Sequence, residues 1–308
     1  MAKIIRIVTH RNFLLPLAIV LGLTVGNIGT WIKHLTIPAL AIVMVISMTQ
    51  VSVREFASVK KVIIPTLYTL LFNFLIFSIF MLVMVYFLID DKMLQTGFVV
   101  LATAPPGVAI APFAYITGAD EKFSIFGMVG AYIASLILIP LCSLIFIGRE
   151  FVNFGQLILI FAELIVAPMI IAQILVKFRM EKYIIRWRGA IVNWGLFIVI
   201  FAVIYLNKSV IFKDFKSLGI ISLISLITIS LMWALTALLL KRAKIQDKLR
   251  KSFILAAVIK NSGFSAAAAL SLFGEKASLP SAIFSVFLII FLILISIKKD
   301  RKSERKGF

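Results

Sequence analysis

The chain is poor in the residues from which soluble folds and enzyme sites are usually made. Among 308 residues there are thirteen acidic side chains, two histidines and one cysteine. A lone cysteine, Cys142, excludes an intrachain disulfide, and its place in an apolar run makes it a packing residue. The histidines, His10 and His34, fall at the ends of apolar runs. Neither paired aspartates nor metal-ligand spacing occurs within those runs, so an intramembrane enzyme lacks its constellation, and no cofactor is expected. Long polar stretches are missing as well, which leaves no room for a soluble domain. What fills the chain is apolar residue, 62% of it, with a mean hydropathy of +1.12. That composition describes an all-α, polytopic integral membrane protein.

Acidic residues are scarce relative to basic ones, and the net charge is +19. A basic soluble face would suggest nucleic acid. Here Lys and Arg fall in short clusters between apolar runs and read as topology signals, so the expected surroundings are a lipid bilayer and no nucleic acid. Reading apolar windows against breaks gives ten spans, near 12–30, 36–53, 62–89, 93–118, 122–147, 155–176, 187–206, 216–240, 250–274 and 278–297. The stretch from Met1 to Ile28 resembles a signal peptide but has no clear cleavage site, and it is taken as the first span. Twenty-four Lys and Arg then lie on one side and seven on the other. The bias places both termini in the cytoplasm, in the cell membrane, which for a bacterium is the inner membrane.

The remaining basic residue, Lys260, lies inside the ninth span, in FILAAVIKNSGFSAAAALSLF. Ten residues beyond Arg250 at 1.5 Å each put it about 15 Å deep, near the middle of a core of about 30 Å. Insertion scales charge roughly 3 kcal/mol for Lys at such a place, and the depth makes snorkelling to either interface difficult. An intramembrane lysine is therefore read as part of a site.

The fourth span, MLQTGFVVLATAPPGVAIAPFAYITG, carries Pro105, Pro106, Gly107 and Val108 about twelve residues in, near its middle. Two prolines remove two backbone donors and push the preceding residues out of helical geometry, so this helix is expected to break. The ninth is expected to break at Asn261-Ser262-Gly263. Both broken spans are fourth in a block of five, the blocks being 12–147 and 155–297, followed by a basic cytoplasmic tail, 298–308. Because five is odd, two such blocks insert with opposite orientation. The pattern predicts two inverted five-helix repeats whose broken fourth and ninth helices cross at mid-membrane. Half-helices starting after Gly107 and Gly263 would aim free N–H groups at the crossing, where an anion is welcome.

The run LATAPPGVAIAPFAYITGADEKFSIF resembles the fourth-helix motif of the bile acid:sodium symporter family, and KNSGFSAAAALSLFGEKASLPSAIFSVF resembles its ninth-helix motif. MVISMTQVSVREF is similar to its second-helix motif. The resemblance implies ten helices in a panel (spans 1, 2, 6 and 7) and a core (spans 3–5 and 8–10), with a small organic anion bound between them. It also implies departures. Sodium-coupled members carry a carboxylate and an amide where this chain has Ala256 and Lys260, a Ser-Asn pair where it has Ile110 and Ala111, and a threonine where it has Met128. Ser124 matches, and Asn73 lies on the span that supplies a polar contributor to one ion site. Sodium wants hard oxygen ligands, and nearly all are gone.

The expectation is therefore a sodium-independent carrier in which Lys260 supplies the charge the ion would bring. Unlike sodium a lysine can be neutralised in place, which makes a proton the candidate coupling ion; exchange and uniport fit as well. Glu163, in QLILIFAELIVAP, is the one acidic residue well inside a span. It is read either as a counter-charge to Lys260 in one access state or as a residue facing a vestibule. Asn261 and Ser262 sit where the second half-helix needs a cap. Gln173 and Asn193 read as interhelical glue, and Trp31 and Trp187 as interface anchors. The competing readings are a sodium-coupled symporter with an altered ion site, an auxin efflux carrier-like permease, a channel, and a sensor that has lost transport.

Overall fold

The computed structural model describes residues 11–49, 59–146 and 154–304. Among the described residues each apolar span expected from the sequence is largely helical, because in hydrocarbon a chain must satisfy its backbone groups internally. Helix α1 is Arg11–Thr24; a 3₁₀ turn, Thr30–Leu35, leads into α2, Thr36–Met48. Helix α3, Val59–Thr69, continues through π-helical Leu70–Ile76 into α4, Phe77–Leu88. The fourth span is two helices, α5 (Lys92–Thr103) and α6 (Ile110–Thr117), and α7 follows at Glu121–Phe146. Helix α8, Phe154–Phe161, passes through π-helical Ala162–Val166 into α9, Ala167–Lys177. After the short α10 (Glu181–Ile184) come α11 (Arg188–Lys213) and α12 (Phe215–Arg242). The ninth span is again split, into α13 (Asp247–Val258) and α14 (Ser262–Phe273), and α15 is Glu275–Glu304.

Among the described residues there are no strands, and seven helices are long and apolar enough to cross a membrane. Helix α15 runs on to Glu304, into the basic segment that starts at 298. Helix α11 continues to Lys213, past the expected end at 206, and Lys208 folds back to donate to the Val25 carbonyl at 3.0 Å. Arg54, Arg149, Arg305, Lys306 and the first ten residues, all used in the charge count, lie outside the described residues, as does much of MVISMTQVSVREF.

Local chemistry explains the ends. Asp91 caps α5 by accepting from the Met93 and Leu94 N–H groups. It also accepts from Lys276 at the start of α15, tying two helix entrances together. Partial burial pushes its carboxyl up, but the bond from Lys276 and the two N–H bonds outweigh that and hold it below its ordinary value. Gly118, in the left-handed region at φ 66°, closes α6.

Two groups of helices are visible in the packing. Helix α11 lies against α1 and α2, and α2 against α9. The others pack among themselves: α3 on α7, α5 on α4, α14 and α15, and α13 on α12 and α7. Small residues set the closeness within this second group. A Cβ at Gly97 would stand 2.1 Å from the Ala277 carbonyl oxygen, and one at Gly127 2.3 Å from Thr69 Oγ1. The groups meet chiefly where α11 and α2 face α14 and α15.

Candidate functional site

The two breaks cross. Gly107 N–H donates to the Ile259 carbonyl at 2.8 Å, and Asn261 N–H to the Pro105 carbonyl at 2.9 Å. Pro106 and Lys260 thus face each other as one antiparallel bridge. Ala104 has φ −58° and ψ 147°, the extended geometry a following proline imposes. Gly107 is needed for approach rather than for flexibility: a Cβ there would stand 2.8 Å from both Ile259 Cγ2 and the Lys260 carbonyl oxygen.

Breaking a helix leaves carbonyls unpaired at the end of its first half, and in hydrocarbon each must find a donor. Lys260 supplies them for α5. Its Nζ donates to the Ala102 carbonyl at 2.6 Å and the Ala104 carbonyl at 2.9 Å, and Ser78 Oγ donates to Ala102 at 2.7 Å. The Nζ also lies 4.8 Å and 4.9 Å from the ring centres of Phe74 and Phe77. A cation between two aromatic faces and the negative end of a helix is favourably placed on both counts. At 1% exposure Lys260 is sealed in.

Asn73 does the same for α13. Fully buried in the π-helical segment, it donates Nδ2 to the Ala256 carbonyl at 2.7 Å and, more weakly, to Ile259 at 3.4 Å. Its Oδ1 is buried without a partner among the described residues, as is Ser124 Oγ on α7. Asn261 caps α14 as expected, its Oδ1 accepting from Phe264 N–H at 3.1 Å. Helix α14 thus begins at Ser262, ahead of Gly263. On the other strand of the crossing Val108 is buried in the turn that leads into α6.

Gly263 looks out at the other helix group. A Cβ on it would lie 3.2 Å from Leu196 on α11 and 3.6 Å from Leu40 on α2. The start of α14 is therefore covered by apolar side chains of α2 and α11. A cavity of about 740 Å³ lies elsewhere, between α4, α5 and α7, with Phe74, Ser78, Thr103 and Cys142 at its Lys260 end. It touches neither α2 nor α11, so it is not the cleft between the two groups. Cys142, expected as a packing residue, is only half-buried there.

The structure thus gathers Pro105, Pro106, Gly107, Val108, Asn73, Lys260, Asn261, Ser262 and Gly263 around one crossing. It does not bring Glu163 there. Glu163 is exposed in the π-helical segment before α9, and among the described residues no carboxylate lies within ion-pair distance of Lys260. The reason is direction: the Lys260 side chain runs to the end of α5 and to Phe74 and Phe77, while Glu163 is turned outward on its own segment. Positions where the resemblance puts sodium ligands, namely Ile110, Ala111, Met128 and Ala256, are buried and apolar. Residues the sequence reading missed are Ser78, Phe74 and Phe77 around Lys260, and Tyr132, whose hydroxyl accepts from Asn261 Nδ2 at 2.7 Å. Tyr132 left one signal, a phenol deep in an apolar run of the fifth span.

Compared with known families, residues 37–214 match the model described as Sodium Bile acid symporter family. The match takes in the first break and ends before the second. No curated protein matches the chain.

Proposed function

The chain belongs to the sodium bile acid symporter family, and on that premise we propose that it is a secondary carrier of a small organic anion, working by alternating access. Family and apolar helices together make it a multi-pass membrane protein of a transporter family, not of an enzyme family. The observation that carries the finer reading is the crossing. Two half-helices, α6 and α14, start beside one another; at the head of α6 the Ile110 N–H is taken by the Gly107 carbonyl, while at the head of α14 the N–H groups of Ser262 and Gly263 precede the first intrahelical bond, from Ser265 to the Asn261 carbonyl. Their positive ends favour an anion there. In this reading the chain is ten spans in two inverted five-helix repeats with both termini cytoplasmic, and α1, α2, α8, α9 and α11 form the panel. Leu40 and Leu196 cover Gly263, so substrate reaches the site when the panel moves off the core.

Lys260 takes the place of a coupling cation. Its Nζ occupies the carbonyl oxygens of Ala102 and Ala104, hard ligands of the kind sodium needs, and so supports sodium-independent transport by proton coupling, exchange or uniport. A second reading, sodium coupling through an altered site, draws on the unpartnered buried oxygens of Asn73 and Ser124. Uptake of small carboxylates and sulfonates into proteoliposomes, with and without sodium and at pH 5.5 and 8, separates the two. The expected result is sodium-independent, pH-dependent, saturable uptake lost in Lys260→Ala and Lys260→Gln. A steep sodium requirement that survives Lys260→Ala sinks the lysine reading, and binding without flux indicates a sensor.

A further inference from the structure

The start of α14 has a second set of donors beside it. Asn261 Oδ1 is engaged by Phe264 N–H, which fixes the amide's orientation and leaves both Nδ2 hydrogens to point the other way. One goes to the Tyr132 hydroxyl at 2.7 Å, and the same nitrogen lies 3.5 Å from Met44 Sδ. The Tyr132 oxygen, acting as acceptor for Asn261, keeps its own O–H to give, and the partner for it is also Met44 Sδ, at 3.9 Å. Two good donors thus converge on a thioether, a weak acceptor. Tyr132 and Met44 are 1% and 0% exposed, so water does not relieve them. The convergence point lies between groups: Asn261 and Tyr132 belong to the packed set containing α7 and α14, while Met44 is carried by α2.

We propose that the Tyr132 hydroxyl is a substrate-facing donor that selects carboxylates, and that the Met44 thioether holds the place of the carboxylate oxygen until α2 moves. The proposal rests on the anion-carrier reading and deepens it. When α2 withdraws, Met44 leaves with it, and the Tyr132 O–H and Asn261 Nδ2 face the same space as the free N–H groups of Ser262 and Gly263. A carboxylate oxygen placed there accepts from all of them, exchanging a thioether contact for charge-assisted bonds. When the carrier is empty, the sulfur keeps the donors from being stranded.

The first arm of the test needs no substrate. The full chain in detergent is unfolded thermally as wild type, Met44→Leu and Met44→Gln, each also with Tyr132→Phe. A glutamine carbonyl accepts where sulfur could not, so Met44→Gln melts above Met44→Leu, and the advantage shrinks when Tyr132 is Phe. A glutamine that melts below leucine by the same amount in both backgrounds overturns the proposal.

The second arm measures binding of acetate, pyruvate, benzoate and cholate. Tyr132→Phe weakens the carboxylates that wild type binds by about ten- to hundredfold, the range of a hydrogen bond to a charged group. Their addition changes the tyrosine near-ultraviolet difference spectrum of wild type and not of Tyr132→Phe. Equal affinity in the two proteins, or binding without the spectral change, overturns the proposal and leaves the carrier standing. Failure of wild type to bind or move any probe overturns the carrier reading and this proposal with it.

Discussion

The two breaks that meet at the crossing are built from different materials. The first, from Ala104 to Ala109, is made by the backbone: two prolines that cannot donate and a glycine whose missing Cβ lets the other segment come close. The second, Ile259 to Asn261, has neither proline nor glycine and is held open by side chains. Lys260 satisfies the end of α5, Asn261 the start of α14, and Asn73 from a third helix the end of α13. One strand of the crossing is covalently forced and polar only in its backbone. Its partner supplies a polar side chain to each, Lys260 to the first and Asn261 to its own. The division has a consequence for function, since changes to the second break alter chemistry while changes to the first alter only shape.

Mutations can break that comparison. The largest expected effect is Lys260→Ala, which opens a cavity and strands the Ala104 carbonyl; about 3–5 kcal/mol of stability is lost, read as a lowered melting temperature in detergent. A loss of under about 1 kcal/mol would mean that α5 ends stably without the lysine and that the second break does not serve the first. Next is Gly107→Ala, where Cβ meets a backbone oxygen that cannot give way, for a cost of about 1–3 kcal/mol. Gly263→Ala sharpens the contrast: its Cβ comes closest to the end of the Leu196 side chain, so the melting temperature changes little, while under the proposed alternating-access reading uptake falls.

Asn261→Ala removes a cap and the Tyr132 bond, about 1–2 kcal/mol, whereas Asn261→Asp keeps an oxygen for Phe264 and recovers most of the cap. The smallest effect lies outside both breaks, at Asp91 and Lys276. The folded carboxyl sits below its ordinary value, so its contribution is present above about pH 4 and is lost as pH falls through the folded value. Both groups are more than a third exposed, and screening limits the pair to a few tenths of a kcal/mol. Asp91→Asn should therefore flatten the acid limb of a melting curve only slightly, and a large change would show that the entrance of α5 matters more than the crossing.

Much of this was legible in the chain. Hydrocarbon leaves a backbone few choices, so apolar length and Pro-Pro-Gly announce spans and a break directly. The second break was legible only through its polar residues, and there the cap at Asn261 is as expected. Glu163 was the weak point: hydropathy marks a carboxylate as unusual but says nothing of which way its helix turns it. Ser78, Phe74 and Phe77 escaped for the opposite reason, since each is unremarkable in its own span and matters only by facing Lys260.

The sequence by itself determined the class of protein, the positions of the helices, the place of both breaks and the presence of a costly lysine at one of them, because these follow from local covalent and solvation rules. Only the tertiary structure decided what that lysine touches. Its partners lie more than 150 residues away, on helices whose facing is set by packing around Gly97, Gly127 and Gly107. Hydrogen-bond partners across such distances are chosen by the geometry of close approach, which no single stretch of the chain contains.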